Sequence, residues 1–382
     1  MDMISGFFGY VIPFIAVLSL VVFIHEMGHF LVARWFGVIV EQFSIGFGRE
    51  IIGWTDKNDT RWKIGWLPLG GYVKFLGDET VASTPDREAV SKLPPEVRAN
   101  CFQFKPLHAR AAVVAAGPIA NFILAIAIFA LMYATLGQTV TAPRVDAVTP
   151  GGAAEAAGFM PGDLVIAIDG DAIESFSDMQ RIVSTSPLRL LQVTVERDGA
   201  LVVLEVVPQL EEVTDPFGNV QRIGLIGLSR QNSAADLTTI RYDPVTALWK
   251  GTEETAFIIS ATMGYLGDII IGRQDADQLG GPLRIAQVSG QVATLGLVAL
   301  LNLAAILSVS IGLLNLFPIP MLDGGHLLYY ACEAVRGKPL GARAQEIGFR
   351  LGLVAVMSLM IFATWNDLVH LRVVEYIGAV FS

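Results

Sequence analysis

The sequence predicts a polytopic α-helical membrane protein with about four transmembrane helices, a membrane-associated β-hairpin and one extracytoplasmic α/β domain. Hydrophobic residues make up 53% of its 382 residues and charged residues only 16%, whereas a typical soluble domain carries about 25% charged residues. Four apolar runs have lengths near the roughly 20 residues that cross a bilayer core. A long polar segment between the second and third runs has the strand and turn pattern of a compact domain.

We expect residues 1–36 to form the first transmembrane helix. Its apolar run, from about Phe7 to Ala33, follows an N-terminus without Lys or Arg and continues into His25-Glu26. A signal peptide would instead have a positive n-region and a small-residue cleavage site. The pattern therefore predicts an uncleaved span.

Three further spans follow along the chain. We place the second in residues 111–137, the third in residues 295–330, and the fourth, with a C-terminal tail, in residues 347–382. The third run is longer than a simple span needs, and it contains Pro318 and Pro320.

Lys and Arg residues near the span ends predict the orientation, because cytoplasmic loops carry an excess of them. This rule places residues 37–110 and 331–346 in the cytoplasm, and both termini and residues 138–294 outside it. Residues 137–293 hold ten Lys/Arg against twenty Asp/Glu. Such a segment has no basic stripe for nucleic acid, so we expect no nucleic-acid partner.

Residues 64–78, with the sequence IGWLPLGGYVKFLGD, predict a β-hairpin in the cytoplasmic segment. Aromatic and β-branched residues are interrupted there by Gly70-Gly71, a pattern typical of a hairpin. Because the run is partly apolar, we expect it to lie at the membrane face or to dip into it. Its edge could pair with an extended substrate, which makes Gly70 and Gly71 candidate substrate-binding residues.

The sequence pattern of residues 138–210 predicts one compact α/β domain. A strand, a small-residue helix, a Gly-containing turn, a second strand and a second helix follow in order, and a hairpin turning at Asp198-Gly199 ends the pattern. We interpret residues 211–294 as an extracytoplasmic linker. It contains amphipathic helices at about 245–270 and 282–294 that could lie along the outer membrane face.

The motif His25-Glu26-Met27-Gly28-His29 predicts a zinc site. Residues four apart share one helical face, so both imidazoles can bind one ion, and Glu26 is the candidate catalytic base. The alternative is a chance match in a helical bundle, but ionisable residues at membrane depth are costly and indicate function. His25 lies nine residues before Arg34, about 14 Å along a helix, which places the site nearer the cytoplasmic face.

Asp323 is the candidate third ligand. It is the first charged residue after the third apolar run, and catalytic zinc takes three protein ligands and an open position. Pro318 and Pro320 interrupt helical hydrogen bonds just before it, and irregular backbone at this depth must line a cavity or lie buried in protein. Asp323 could instead cap the next helix, and His326 is the rival ligand.

Two asparagines in the spans have competing interpretations. Asn315 could grip the substrate backbone beside the metal, or it could make an interhelical hydrogen bond. Asn121 is ambiguous in the same way, and we favour a structural role for it.

Together these motifs resemble the site-2 protease family of intramembrane zinc metalloproteases, of the bacterial RseP type. The matching segments are HEMGH at 25–29, GYVKF at 71–75, AAGPIANF at 115–122, NLFPIPMLDGGH at 315–326, and the PDZ-like AGFMPGDLVIAIDG at 157–170. The resemblance covers nearly the whole chain. It implies one Zn²⁺ per chain held by His25, His29 and Asp323, Glu26 as catalytic base, and a substrate site shaped by Asn315, Pro318 and Pro320.

The resemblance also implies a cellular role. Substrates would be single-pass membrane proteins, such as anti-sigma factors or remnant signal peptides, already trimmed by a site-1 protease. The enzyme would lie in the bacterial inner membrane and act in regulated intramembrane proteolysis. The best-known RseP-type enzyme has two tandem PDZ domains, whereas this sequence predicts one. The alternative function is a PDZ-bearing membrane scaffold with a non-catalytic metal site.

Overall fold

The protein is described here by a computed structural model that covers residues 3–77, 93–214, 220–230, 238–273, 276 and 280–370. The helices are α1 Met3–Trp35, α2 Pro95–Arg98, α3 Leu107–Thr135, α4 Ala153–Ala156, α5 Phe176–Ser184, α6 Pro244–Ile270, α7 Pro282–Thr294, α8 Leu297–Asn315, α9 Asp323–Arg336 and α10 Ala342–His370. The strands are β1 Val40–Thr55, β2 Arg61–Phe75, β3 Gln138–Val140, β4 Ala147–Val148, β5 Leu164–Ile168, β6 Asp171–Ala172, β7 Leu191–Arg197, β8 Ala200–Val206, β9 Gln209–Thr214, β10 Val220–Leu225, β11 Leu228–Ser229 and β12 Thr238–Ile240.

The chain divides into two compact units. The first comprises residues 1–129, 250–259 and 279–382, and the second comprises residues 130–249 and 260–278. The tail predicted at 371–382 and residue 78 of the predicted hairpin lie outside the described residues.

Four helices are long and apolar enough to cross a membrane. These segments are Phe8–Trp35, Leu107–Thr135, Leu297–Asn315 and Arg343–Val369. Each exceeds or nearly matches the ~20 residues that a bilayer core requires. A polytopic helical membrane protein is therefore confirmed, and each span lies within or close to its predicted segment.

The third predicted span is not one element. Helix α8 ends at Asn315, residues 316–322 are non-helical, and α9 begins at Asp323. Pro318 and Pro320 explain the break, because proline lacks the N–H that an interior helical position must donate. Asp323 therefore starts a new helix instead of ending the apolar one.

The hairpin predicted within residues 64–78 is wrong in its boundaries. Strands β1 and β2 form the hairpin, and its turn lies at residues 56–60, where the Asp56 carboxylate accepts hydrogen bonds from the Asn58 and Thr60 N–H groups. Such a side-chain-closed turn is typical of Asp. Gly70 has a φ of +156°, and it lies within β2, between the two segments that pair with residues 42–45, and not at the turn.

Both strands of this hairpin bend, so that residues 40–45 lie between two segments of β2. Their register pairs Ile45 with both Gly71 and Ile64, and Phe43 with both Val73 and Trp62. Phe43 is buried and its ring contacts the Phe30 ring of α1, with centroids 5.6 Å apart. This packing holds the sheet against the end of α1.

In the second unit, residues 141–229 form what we call the four-stranded domain. Its sheet has the strand order β6-β5-β7-β8, and its apolar core includes Val145, Phe159, Leu191 and Val195. Alternate residues of β7 are buried, as expected of a strand with one face on a core. The elements predicted for this segment are present in the predicted order.

The domain continues past residue 210, where the sequence pattern indicated its end. Strand β11 pairs with β4, with Leu228 opposite Val148, and Ile226 is buried in the same core as Val145. The residues assigned to the start of a linker therefore complete the fold. The pattern misses them because β11 has only two residues and shows no periodicity.

Helices α6 and α7 match the two helices predicted at 245–270 and 282–294. In the first unit, α7 packs against α1, and a Cβ at Gly290 would come within 2.7 Å of the Tyr10 Cα. The Asp367 carboxylate of α10 accepts hydrogen bonds from the Gly281, Leu283 and Arg284 N–H groups at the start of α7. Their position along a membrane face stays a prediction.

Candidate metal centre

Helix α1 supplies two imidazoles on one face. His25 and His29 are one helical turn apart, and their Nε2 atoms lie 3.2 Å from each other. His25 is buried and His29 is half-buried, which removes both rings from bulk solvent. The (i, i+4) spacing brings the two nitrogens together as the sequence predicts.

Helix α9 brings Asp323 to the same point. Its Oδ2 atom lies 3.1 Å from His25 Nε2 and 3.5 Å from His29 Nε2. The helix N-cap residue is Leu322, and no side chain caps this end. The capping alternative for Asp323 is therefore wrong, and its carboxylate is directed to the histidines.

The backbone before Asp323 folds back tightly on α9. A Cβ at Gly324 would overlap the Leu316 and Phe317 carbonyl oxygens, and one at Gly325 would overlap the Ile319 carbonyl oxygen. The glycine pair is thus required for this close approach. Met321 has a φ of +98°, a strained conformation of a kind that clusters at functional sites.

The three donor atoms fit a zinc ion. Their separations of 3.1, 3.2 and 3.5 Å match the edge of about 3.3 Å that a tetrahedron with Zn–N and Zn–O bonds near 2.0–2.1 Å requires. Three donors form one face of that tetrahedron and leave the fourth position open. Two imidazoles and one carboxylate are a donor set that catalytic zinc commonly takes.

A second observation supports this fit. Apart from the two imidazole nitrogens, the buried Asp323 Oδ2 atom has no hydrogen-bond donor among the described residues, although buried polar atoms nearly always have a partner. An ion at the centre of the three donors would satisfy this oxygen. Zinc held there would supply Lewis acidity that polarises a peptide carbonyl and makes water a nucleophile near neutral pH.

The second ring nitrogen of His29 has a partner on α3. His29 Nδ1 lies 2.8 Å from the Val113 carbonyl oxygen, so the ring donates its Nδ1–H there and leaves Nε2 free for a metal. Helix α3 also approaches both rings at Gly117. A Cβ at this position would overlap His29 Nε2 and come within 2.9 Å of His25 Cε1.

Glu26, the candidate base, lies beside β2. A Cβ at Gly71 would come within 2.9 Å of Glu26 Cγ and of Val22 Cγ1, so the backbone of β2 runs directly against α1 at this residue. Gly70 lies instead against the Phe47 ring. The structure therefore brings Gly71, but not Gly70, next to Glu26.

The other predicted substrate-binding residues lie around the α8–α9 break. Asn315 is the last residue of α8, is half-buried, and makes no side-chain hydrogen bond to another described residue. Pro318 is exposed. Pro320 is half-buried and packs against α10, where a Cβ at Gly352 would overlap its carbonyl oxygen. Their role in substrate binding stays a prediction.

The rival ligand His326 lies outside the donor triangle. Among the described residues, the cluster that could hold a metal is His25, His29 and Asp323. The His326 ring instead contacts the Tyr329 ring edge-on, with centroids 6.4 Å apart.

Two residues of α3 at the site were missed as site residues from the sequence. Gly117 gives the imidazoles room, and the Asn121 amide lies 3.2 Å from His25 Nδ1. Both belong to the segment AAGPIANF. A polar residue in a charge-free span was the signal available, but nothing local indicates which helix it faces.

Comparisons with known proteins agree with this chemistry. A sequence profile described as peptidase family M50 matches residues 13–359. A protein of Agrobacterium fabrum named as a candidate zinc metalloprotease is 52% identical over 365 residues, 95% of this chain and 97% of the relative. A similarly named protein of Rhizobium meliloti is 51% identical over 360 residues, 94% of this chain and 96% of the relative. The metalloprotease MmpA of Caulobacter vibrioides is 40% identical over 399 residues, 99% of this chain and all of the relative.

Proposed function

We propose, from the premise that this chain belongs to peptidase family M50 and is a zinc metalloprotease, that it hydrolyses peptide bonds within or near the transmembrane segments of single-pass membrane proteins. The observation that carries the proposal is the position of the donor triangle. His25 and His29 belong to the apolar helix Phe8–Trp35, and Asp323 follows the apolar helix α8. A hydrolytic centre built on such helices is suited to substrates that reach it from the lipid phase.

Glu26 performs the proton transfers in this proposal. Its carboxylate accepts a proton from the attacking water and delivers it to the amide nitrogen that leaves when the peptide bond breaks. Glu26 follows His25 directly on α1, and the β2 backbone at Gly71 contacts its side chain. This contact packs the Glu26 side chain against β2, one residue along α1 from the metal-ligand candidate His25.

The end of β2 is the proposed substrate-binding edge. Residues 71–75 pair with residues 40–45 on one side, and no strand pairs with their other side in the part of the chain that the structure describes. A transmembrane substrate must unwind to expose a carbonyl, and an unwound segment can add to such an edge as a strand. Asn315, Pro318 and Pro320 would contact it from the α8–α9 break.

The tip of the β1–β2 hairpin, defined as residues 51–66 on both sides of the turn, is the proposed membrane contact. Ile51, Ile52, Trp54 and Trp66 are each more than half exposed in this segment. Large apolar side chains that are exposed together mark an interaction surface, and Trp is enriched at membrane interfaces. We assign this tip to the lipid bilayer.

We place the enzyme in the bacterial inner membrane, with both termini and the four-stranded domain extracytoplasmic and the metal centre nearer the cytoplasmic face. The excess of Lys and Arg near residues 34, 105–110 and 336–343 supports this orientation. The four-stranded domain would be a PDZ-like module that screens substrates already trimmed by a site-1 protease. Anti-sigma factors and remnant signal peptides in regulated intramembrane proteolysis have the required single-pass form.

A cleavage assay in proteoliposomes tests the proposed activity. A single-pass substrate is reconstituted with the parent enzyme or with Glu26→Gln, and the products are identified by mass spectrometry. We expect new termini inside or next to the substrate's membrane segment only with the parent enzyme. The Glu26→Gln enzyme should retain zinc, which separates loss of the base from loss of the metal. Cleavage confined to soluble loops, or full activity of the variant, would contradict the proposal.

The screening role needs a separate comparison. Trimmed and untrimmed forms of one substrate are offered to the parent enzyme and to a variant without residues 141–229. We expect the untrimmed form to be cleaved only by the shortened enzyme. Equal discrimination by both enzymes would remove the screening role and leave the proposed chemistry intact.

A further inference from the structure

We infer that Asn121 is a positioning residue, which holds His25 in the tautomer that leaves its Nε2 atom free for zinc. The inference rests on the assignment of His25, His29 and Asp323 as zinc ligands, and it adds a residue to which the sequence assigned a structural role. Asn121 would not contact the metal. It would act through the ring of His25.

Asn121 is completely buried at the centre of the first unit. Its side chain faces His25, with the amide nitrogen 3.2 Å from His25 Nδ1. Its backbone carbonyl oxygen accepts a hydrogen bond of 2.8 Å from the Ser308 hydroxyl of α8. Asn121 is therefore tied to α1 through its side chain and to α8 through its backbone.

Among the described residues, the buried Asn121 amide oxygen has no hydrogen-bond partner. A buried acceptor without a donor is unfavourable. A half-turn of the amide group exchanges its oxygen and nitrogen within the same space. The oxygen then faces His25 Nδ1 and can accept a hydrogen bond from it, while the NH₂ group takes the former place of the oxygen.

The orientation of the amide decides which nitrogen of His25 can bind metal. With the NH₂ group toward the ring, Nδ1 is an acceptor, and the proton of a neutral imidazole is on Nε2. With the amide oxygen toward the ring, Nδ1–H is the donor and the Nε2 lone pair is free. The Nε2 atom is the one that lies in the donor triangle, so zinc binding requires the second orientation.

The two histidines differ in how this is achieved. His29 donates its Nδ1–H to the Val113 backbone carbonyl, which no substitution removes. His25 depends on a side chain, and this makes its partner testable. Removal of such a partner of a metal-binding histidine typically weakens metal affinity by about 10–100-fold.

The test measures zinc affinity by chelator competition on the purified full-length protein, with Glu26→Gln as the parent to prevent self-cleavage. Asn121→Leu keeps the approximate shape and removes the acceptor, and we expect about 10–100-fold weaker zinc binding. Asn121→Asp restores an acceptor for Nδ1–H, and we expect affinity close to that of the parent. Nitrogen NMR of labelled histidine should show His25 protonated at Nδ1 in the parent and Asp forms.

A packing control distinguishes an effect on the orientation of the His25 ring from a general loss of folding stability. Val114→Ala removes buried apolar volume from the same helix, where Val114 is 8% exposed, and should lower the melting temperature without changing zinc affinity. If Asn121→Leu does not fold, Asn121→Ala provides the same comparison with Asn121→Asp.

The outcomes distinguish the inference from the site on which it rests. If His25→Ala abolishes zinc binding while Asn121→Leu binds zinc as tightly as the parent, the positioning role is refuted and the ligand assignment stands. If His25→Ala itself binds zinc normally, the ligand assignment fails first. Equal weakening by Asn121→Leu and Asn121→Asp would also overturn the inference, because it would show that only the native packing matters.

Discussion

Asp163 in the four-stranded domain and Asp323 at the start of α9 are both carboxylates removed from water, but their surroundings differ. The Asp163 side chain is 0% exposed and receives two hydrogen bonds from Arg197, of 2.7 and 2.8 Å, and one of 2.9 Å from the Met160 N–H. The Asp323 side chain is 18% exposed, and among the described residues its buried Oδ2 has only the two imidazole Nε2 atoms near it, at 3.1 and 3.5 Å. Both oxygens of the Asp163 carboxylate therefore accept hydrogen bonds from protein N–H groups, whereas Asp323 Oδ2 could still accept a metal ion.

The difference does not follow from the unit in which each carboxylate lies. Asp367 belongs to the same unit as Asp323, is 1% exposed, and receives three backbone N–H hydrogen bonds at the start of α7. A buried charge requires pairing or hydrogen bonds unless a ligand supplies them. The comparison teaches that a buried carboxylate whose nearest polar neighbours are two imidazole nitrogens is a candidate metal ligand, whereas one that receives several N–H hydrogen bonds has a structural role.

The largest expected effect separates Asp323 from Asp367. Asp323→Asn should abolish detectable proteolysis and most zinc binding, because the amide lacks the carboxylate charge that a third zinc ligand supplies. Asp367→Asn is the matched carboxylate-to-amide control and should retain stoichiometric zinc. Zinc content by mass spectrometry, together with the proteoliposome assay, measures both. Normal zinc occupancy in Asp323→Asn would break the comparison.

The second largest expected effect concerns the space around the imidazole rings of His25 and His29. Gly117→Ala should weaken zinc binding strongly, because the new Cβ would overlap His29 Nε2 and displace both rings. A Cβ at Gly264 would meet no atom of another described part of the chain within 4 Å, so Gly264→Ala is the control and should bind zinc normally. Chelator competition compares the two, and equal affinities would show that the rings do not need this space.

Substitution of Asp163, the fully hydrogen-bonded carboxylate, should lower the stability of the four-stranded domain and leave activity unchanged. Asp163→Asn should destabilise the four-stranded domain by about 2–3 kcal/mol, since hydrogen bonds to charged groups contribute about 1.5–3 kcal/mol each and Arg197 stays partly solvated. Zinc binding should not change. Hydrogen exchange of β5 and β7 amides in the full-length protein measures the effect, and unchanged protection would contradict it.

The smallest effect is a dependence on pH. Burial alone would raise the pKa of Asp163, but hydrogen bonds from Arg197 and Met160 N–H and the Arg197 charge lower it below its ordinary value of 3.8. The stabilisation is therefore complete above pH 3.8 and is lost as the pH falls through the lowered value. Susceptibility of the domain to pepsin, normalised to an unfolded substrate, should rise in this window for the parent and stay flat for Asp163→Asn.

Much of this arrangement could be predicted from the sequence. The spans follow from the length of apolar runs, and the pairing of His25 with His29 follows from helical spacing. Asp323 could be found because a lone carboxylate followed two prolines and a long apolar run. Each of these signals is local, and the family resemblance joined them into one site.

Other features have no local signal. The bends that place residues 40–45 between two segments of β2 depend on packing against α1, and the two-residue strand β11 is defined only by its partner β4. A hairpin was predicted within residues 64–78, around Gly70-Gly71, because glycine is common at turns and at other irregular positions of strands alike. Only the pairing shows which of the two occurs.

The sequence by itself determined the candidate metal ligands His25, His29 and Asp323 and the helices that carry them. Side-chain type and helical periodicity can both be read from residues that are close together in the chain. Tertiary structure alone decided their surroundings: the Val113 carbonyl that orients His29 is 84 residues away, and the Asn121 amide beside His25 is 96 residues away. Such contacts arise when α3 packs against α1, and packing depends on the shape of both surfaces at once. Whether a buried carboxylate receives hydrogen bonds is likewise set by distant residues, as with Arg197, 34 residues from Asp163.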